Sequence, residues 1–207
     1  MKKILISLIL FTFILPCTQA RVRDIFASAP DSIFPLLTQN NRLDCIDFLE
    51  NGMTAKVKNR FDETSELLKL TDDYLLLDVS SKSHVEILQL NDSIFCLVHT
   101  YLGPAPDSEI RFYKTDWTFQ NIQAPKPSVL EFWKAVPAED ERTARFAQAF
   151  QTQQMLVEIT IDASNKELIY TLNTSELFKK EKEVAQQYVQ PLRYRWDGQV
   201  FQPISKE

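Results

Sequence analysis

The segment "IFCLVHTYL", residues 94–102, is rich in β-branched and aromatic residues and is apolar on both faces of the strand that it predicts. Alternation along a strand divides these side chains into two sets: Ile94, Cys96 and Val98 on one face, and Phe95, Leu97 and Tyr101 on the other. A strand that is apolar on both faces belongs in the middle of a sheet that is covered on both sides. The segment therefore predicts a central strand.

Further runs with the two-residue period of a strand flank this segment between residues 54 and 118. They are "TAKVKNRF", "YLLLDVS", "SHVEILQL" and "SEIRFYKT", and the turn formers "TDD", "SSK", "ND" and "GPAPD" separate them. Asn91 and Asp92 form the clearest hairpin turn. We expect residues 21–122 to form an antiparallel meander with helices packed on at least one face.

The stretch "NRLDCIDFLENG", residues 41–52, sets Cys45 between Asp44 and Asp47, residue types that catalytic and metal sites also use. At about 100° per residue, Cys45 lies near the middle of an apolar arc, and both aspartates point away from it. The three side chains therefore cannot converge on one substrate atom while the helix is regular. The stretch is interpreted as an ordinary amphipathic helix.

The ends of this helix also carry signals. Asn41 and Asp44 have the spacing of a capping box, and Gly52 is placed to end the helix. A shorter helix is expected upstream, with Asp31 as its cap and Pro35 limiting its regularity.

Two prolines in "QAPKPS", residues 123–128, end any element that precedes them. The pattern after them predicts two helices, "VLEFWKAV" with Ser128 as its cap and "EDERTARFAQAF", in which Phe146 and Phe150 share a face. The strands "MLVEITID" and "KELIYTLN" follow around the turn "ASN". A helix that begins at Ser175 and ends before Pro191 comes next.

The chain closes with "LRYRWDGQVFQP", residues 192–203. Asp197-Gly198 is a strong signal for a two-residue hairpin turn, which would set Phe201 opposite Tyr194. The predicted fold class is therefore α+β: antiparallel meander sheets packed by a few helices, with a C-terminal hairpin. We expect residues 21–122 and the helix–strand–strand–helix–hairpin half, residues 123–207, to pack as one unit.

The first twenty residues have the three-part plan of a secretory signal peptide. Lys2 and Lys3 precede an apolar run that ends at Leu15, Pro16 follows, and small and polar residues lead to Ala20. The run is shorter than the roughly 18 residues that a membrane span needs. The sequence thus predicts an exported protein, periplasmic or extracellular, whose mature chain begins near Arg21.

An alternative makes Cys17 a lipid-modified residue, because bacterial lipoproteins carry a cysteine just after the apolar run. Such signals place a small residue before the cysteine, whereas this sequence has Pro16. A lipid anchor at Cys17 is the less favoured of the two readings.

The net charge argues against nucleic acid as a partner. Removal of residues 1–20 leaves 21 Lys and Arg against 28 Asp and Glu, a net charge of −7. Nucleic-acid binders usually carry a basic patch. The lysine-rich run "FKKEKE", which starts at Phe178, is interleaved with glutamates and is typical of a solvated helix face.

Few residues are available for common catalytic motifs. The chain has three glycines, each at a helix end or a turn, so none remains for a phosphate-binding loop. It has two histidines, His84 and His99, and no paired-histidine zinc motif. No catalytic residue, metal ligand or cofactor-binding residue is assigned, and no cofactor is expected.

A cysteine nucleophile paired with a histidine is the one nucleophilic hypothesis. Cys96 and His99 lie three apart on one predicted strand, so their side chains leave from opposite faces. Cys45 and His84 are not constrained by the sequence. A disulfide between Cys45 and Cys96 and two separately buried thiols are both compatible with the sequence.

A pair of carboxylates for glycoside chemistry remains open, because acidic residues are plentiful and such pairs are distant in sequence. Exposed aromatic residues could also support a sugar site. Plain packing is the favoured explanation for Trp117, Trp133 and Trp196, each at an element end or on a helix face.

Four stretches together carry a resemblance to a known family: "APDSIFPLLTQNNRLDCIDFLENGM", "VKNRF", "SEIRFYKTDW" and "LRYRWDG". The chain resembles a family of exported Bacteroidales proteins classed as a domain of unknown function. The resemblance covers nearly all of the mature chain, and residues 41–53 are its most specific part. It implies an exported protein and one family unit across both halves, with no assigned activity and no catalytic residue to carry over.

These observations favour a noncatalytic binding or envelope-associated module whose sheet face or loops contact an unknown protein or glycan. One alternative is a hydrolase of glycans or peptides that acts through carboxylates. Another is an inhibitor of a secreted enzyme.

Overall fold

The computed structural model describes residues 21–134, 141, 156–174, 182 and 187–204. The described strands form two antiparallel sheets, one of seven strands in the order β1-β2-β3-β4-β5-β6-β7 and one of four in the order β11-β10-β9-β8. The larger sheet contains β1 Lys56–Lys58, β2 Thr64–Leu70, β3 Tyr74–Ser80, β4 Ser83–Gln89, β5 Ile94–Leu102, β6 Pro106–Lys114 and β7 Phe119–Gln120. The smaller sheet contains β8 Val157–Asp162, β9 Glu167–Leu172, β10 Leu192–Trp196 and β11 Phe201–Pro203.

Two helices, α1 Val22–Ala27 and α2 Gln39–Glu50, pack on one face of the larger sheet, and the smaller sheet packs on the other. The predicted α+β class is confirmed, with its antiparallel meander and C-terminal hairpin. No described helix is long and apolar enough to cross a membrane. The predicted signal peptide, Cys17, the helix containing Phe146 and Phe150, and most of the helix after Ser175 lie outside the described residues.

Strand β5 is central, as its sequence predicts. Phe95 and Leu97 belong to the core under the helices, whereas Cys96 and Val98 belong to the core between the sheets. The loop before β5 is the expected turn, in which the Asn91 side chain accepts the backbone N–H groups of Ser93 and Ile94. The two-sided burial of one strand therefore connects both cores.

Two details of strand pairing differ from the sequence prediction. Strand β2 is absent from the predicted runs because its register with β3 shifts between Leu67 and Lys69, and this bulge interrupts the two-residue period. The C-terminal hairpin loop has four residues, 197–200, so Phe201 pairs with Trp196 and the predicted pairing with Tyr194 is wrong. Asp197 holds this loop by accepting the N–H groups of residues 199 and 200.

The expected helix at Asp31 is wrong, because residues 31–37 form turns and the first helix is α1. The Asp31 carboxylate accepts hydrogen bonds from Arg42 at 3.2 Å and from Arg60 at 2.6 Å. Arg42 is 1% exposed, and its guanidinium also donates to the carbonyls of Leu37 and Ala29. The turn segment is thus ordered around a buried cation instead of a helix cap.

Helix α2 begins at Gln39, three residues before the start that a cap at Asn41 predicts. Its cap is Thr38, whose side chain accepts the Asn41 N–H, and Asn41 accepts the Thr38 N–H in return. The predicted capping pair of Asn41 with Asp44 is therefore wrong, although Gly52 does follow the helix end at a positive φ of 71°.

The residues after "QAPKPS" form a short 3-10 helix, Val129–Phe132, where an α-helix was expected. Glu131 accepts both the N–H and the hydroxyl of Ser128, so the predicted capping residue is correct. Trp133 then forms an isolated bridge with Val189, which ends the helical turn.

Side chains of the larger sheet join it to the edge strand β8 of the smaller one. The N–H groups of Val157, Ile159 and Ile161 point away from β9, and each donates to a side chain of the larger sheet. The acceptors are Asp107 at 3.1 Å, Ser108 at 2.9 Å and Glu86 at 3.2 Å. Strand β8 therefore runs across the larger sheet, from β6 toward β4, with its exposed edge satisfied by side chains.

Glu86 is the most buried of these acceptors, at 4% exposure. Its carboxyl also accepts the Tyr74 hydroxyl at 2.5 Å. Burial raises the pKa of Glu86 to about 7, although the hydrogen bonds from Tyr74 and Ile161 favour the charged form; Glu158 raises it slightly further.

We predict that Glu86 makes the protein less stable as the pH rises from about 4.5 to about 7. In this window the folded state binds a proton that the unfolded state has released, so the free energy of unfolding falls, by about 3 kcal/mol over the window. Urea unfolding at pH 5 and pH 8 should show Glu86→Gln gaining stability relative to the wild type at the higher pH.

The matched control is Glu63→Gln, at an exposed carboxylate of the turn before β2. This substitution should change the free energy of unfolding by the same small amount at both pH values. If the difference in the free energy of unfolding between Glu86→Gln and the wild type is the same at pH 5 and pH 8, the prediction for Glu86 is wrong.

Candidate functional site

The two described thiols are free and lie in separate cores. Cys45 is buried under the helices, and Cys96 is buried between the sheets. Burial raises the pKa of Cys45 to about 11 and that of Cys96 to about 12. Asp44 and Asp47 point to solvent on the other side of α2, as the helical pattern predicts. Asp44, Cys45 and Asp47 therefore do not meet at one point.

The two histidines do not form a nucleophilic pair with these thiols. His99 lies on the helix side of β5, and Cys96 lies on the opposite face, as predicted. His84 pairs with Asp78 across β3 and β4. No hydrogen bond joins a cysteine to a histidine among the described residues, and no described group of three or more His, Cys, Asp or Glu could hold a metal ion.

A polar pocket lies over β5 and β6 on the helix side of the larger sheet. Its volume is about 190 Å³. Turn residues Ser32, Ile33 and Pro35 cover one side of it. The sheet side is formed by residues of alternate positions on the two strands: Leu97, His99, Tyr101, Glu109, Arg111 and Tyr113.

An imidazole with one unpaired nitrogen lines this pocket. The Nε2 atom of His99 is buried and has no hydrogen-bond partner among the described residues. The pKa of His99 is lowered, chiefly because burial disfavours the charged ring, while Glu109 opposes the shift. The Tyr101 ring stacks on this imidazole with a centroid distance of 4.3 Å and is itself 51% exposed.

A charged pair forms the β6 side of the pocket. Arg111 donates to both carboxylate oxygens of Glu109, with its Nε at 2.9 Å and its Nη2 at 3.0 Å. Each group retains hydrogen-bonding positions that the other does not use. Beyond this pair, Phe119 of β7 packs edge-on against Tyr113 and is 60% exposed. We call His99, Tyr101, Glu109, Arg111 and Phe119 the β6 rim.

The β6 rim suits recognition better than covalent chemistry. Ser32 and His99 line the same pocket, but no hydrogen bond joins them, so the hydroxyl lacks the adjacent base that an activated serine needs. Glu109 is committed to Arg111 instead of orienting the imidazole. The rim offers a stacking surface, a neutral imidazole and a planar ion pair, which together position a partner without attacking it.

The tryptophans have structural roles, as favoured by the sequence. Trp117 packs against Phe34 and Phe95 and donates its indole N–H to the Ile25 carbonyl at 2.9 Å. Trp196 packs against Phe201 in the core between the sheets.

The sequence does not identify the residues of the β6 rim as a group. The two-residue period places Tyr101 on an apolar strand face, and the alternating charges of "SEIRFYKT" predict only a strand. The available signal was that Glu109 and Arg111 occupy alternate positions next to an aromatic strand end. Pairing Glu109 with His99 requires the register of β5 with β6, which the sequence does not specify.

We predict that Cys45 and Cys96 of the folded protein react slowly with iodoacetamide. At pH 8, pKa values of about 11 and 12 leave a thiolate fraction of about one in a thousand or less, and burial limits access further. Peptide mass mapping should show modification at least about 100-fold slower than in urea. Rapid modification of either thiol in the folded state would restore the nucleophile hypothesis.

Comparisons with other proteins identify a family but no activity. Residues 15–201 match the family model described as "Protein of unknown function (DUF3256)". The fold is similar to a solved structure, "Structure of a domain of an uncharacterized protein from Porphyromonas gingivalis W83", with a TM-score of 0.73 and 22% identity over 89% of this chain and 98% of that chain. No curated protein matches the chain. Because the family model spans most of its length, the chain belongs to the DUF3256 family of proteins of unknown function.

Proposed function

We propose that the protein is an exported, noncatalytic binding module that contacts another macromolecule through the β6 rim. The observation that carries this proposal is the exposed Tyr101 ring, which stacks on His99 beside the Glu109–Arg111 pair, where polar groups keep unused hydrogen-bonding capacity. Tyr and Arg side chains are enriched among the residues that contribute most to binding at protein interfaces.

The chemistry of the described residues supports binding over hydrolysis. Among the described acidic residues, Glu86 has the most perturbed pKa, and its carboxyl is buried between the sheets, where a substrate cannot reach it. Glu109, the carboxylate that lines the rim pocket, is held by Arg111. A glycosidase needs two carboxylates facing one bond, and the described part of the rim presents one.

We predict that Tyr101→Ala weakens binding at the β6 rim by at least about tenfold, because an aromatic anchor is lost. The probes are a set of soluble bacterial surface oligosaccharides and a library of nine-residue peptides, each titrated into the isotope-labelled protein and followed by NMR. Phe61→Ala is the matched control, since Phe61 is 74% exposed in the turn before β2, outside the rim.

Three results would contradict the proposal. Equal losses from both substitutions would show that the contact is not at the rim. Shifts confined to residues outside the rim would place the contact elsewhere. Cleavage of a probe during incubation, detected by mass spectrometry, would favour the hydrolase alternative.

Export is supported by residues 1–20, whose charged start, apolar run and small residues near Ala20 have the plan of a signal peptide. We predict that these residues direct a fused alkaline phosphatase out of the bacterial cytoplasm, where the enzyme becomes active. Replacing Leu8 with Arg in the apolar run should abolish that activity. An active fusion with Leu8→Arg, or an inactive fusion with the natural residues, would contradict export by this segment.

The same fusion distinguishes a free exported chain from a lipid-anchored one. Labelling with a palmitate analogue should leave the fusion unmodified, because Pro16 precedes Cys17. Incorporation that is lost in Cys17→Ser would establish the lipid anchor instead.

A further inference from the structure

Half of strand β6 forms an open edge of the larger sheet. Its neighbour β7 has two residues and pairs only with Phe112 and Tyr113. Residues 106–111 of β6 pair with β5 on one side, and no strand of the described residues lies on the other. The opening lies directly beside the β6 rim.

The hydrogen-bond pattern shows which backbone groups face this opening. The Lys114 N–H donates to the Thr118 carbonyl at 2.9 Å, so even-numbered residues of β6 point toward β7. The N–H and C=O groups of Ser108 and Ile110 therefore point outward. They have no backbone partner in the part of the chain that the structure describes. Glu109 and Arg111 direct theirs to β5.

A groove runs along the open edge on the side opposite the rim pocket. Its volume is about 330 Å³. Ile110, Val157, Ile159 and Tyr170 form an apolar floor. The opposite wall is the proline-rich stretch 124–127, which the Tyr170 hydroxyl holds by donating to the Pro125 carbonyl at 3.2 Å. Glu109 borders both this groove and the rim pocket.

We infer that an extended segment of a partner polypeptide adds to β6 as a strand, pairing with the outward backbone groups of Ser108 and Ile110. This inference rests on the proposed function, since it names the partner of the module that binds at the β6 rim. Backbone donors and acceptors repeat about every 7 Å along an open edge, a spacing that another strand matches and a glycan does not.

The two sides of the edge define the chemistry of this segment. Alternate side chains of an added strand point to opposite faces. One set enters the apolar groove beneath residues 124–127, so an aliphatic or aromatic side chain is expected there. The other set faces Glu109 and Arg111, so polar or charged side chains are expected at the neighbouring positions.

The edge also limits the length of the segment. Pro106 has no backbone N–H to offer, and Phe112 is already paired with Gln120 of β7. Two residues at alternate positions with both groups free can pair with about three residues of an extended chain. The partner is thus a short linear segment, not a whole sheet.

The test uses the chain from Arg21 onward and a phage-displayed library of random nine-residue peptides. A selected peptide is synthesised, and amide hydrogen exchange is followed by NMR with and without it. We expect exchange at Ser108 and Ile110 to slow by at least about tenfold when the peptide saturates the protein. Glu109 and Arg111, whose amides face β5, should be slow in both states and so serve as internal controls.

A bulky side chain in the groove provides a matched pair of variants. Ala124→Trp should weaken the selected peptide by at least about tenfold by filling the groove, with exchange at Glu109 unchanged if the sheet is intact. Ser81→Trp places the same ring in the exposed turn between β3 and β4 and should leave the affinity unchanged.

Each other outcome overturns the inference. If no peptide is selected, or a selected peptide leaves exchange at Ser108 and Ile110 unchanged, no strand adds to β6. If a bacterial oligosaccharide shifts Tyr101 and His99 while no peptide binds, the proposed binding function stands and the strand partner is wrong. If both amides are already slow in the free chain and become fast on dilution, the edge pairs with a second copy of the chain.

Discussion

The fold depends on how the edge of strand β8 satisfies its hydrogen bonds. An unpaired backbone N–H that is shielded from water costs free energy comparable to a lost hydrogen bond. The N–H groups of Ile159 and Ile161 are partly buried and need acceptors, and the more exposed N–H of Val157 also finds one. Asp107, Ser108 and Glu86 supply those acceptors from a sheet to which β8 does not belong. The smaller sheet is therefore held in one position on the larger one by directional bonds as well as by apolar contact.

The position of the smaller sheet on the larger one also explains where a binding surface can form. The smaller sheet covers one face of β4 to β6, and the helices with their turn segment cover most of the other. Neither layer fully covers the part of β5 and β6 that contains Tyr101 and Glu109. Tyr101 is exposed there, and Glu109 borders both the rim pocket and the groove on the opposite side. Polar residues at this place contribute little to either core. Their grouping is explained more simply by contact with a partner than by stability.

The sequence was informative where one local pattern decides the structure. The two apolar faces of residues 94–102 predicted the central strand, and helical periodicity correctly buried Cys45. The predictions were wrong where contacts between distant residues decide the structure. Asp31 binds the Arg42 guanidinium instead of capping a helix, and a bulge interrupts the two-residue period of β2. The roles of the β6 rim and of Glu86 were not predicted for the same reason, because they depend on strand register and on contact with a second sheet.

The lateral strands of the larger sheet are unusually short, three residues in β1 and two in β7. Long flat margins act as templates on which identical chains stack into fibrils. Here one margin carries Lys56 and Lys58, and the other leaves only residues 106–111 of β6 open beside the two-residue β7. A sheet built this way offers one short stretch of edge to an added strand and, among its described strands, no long margin along which many copies could stack.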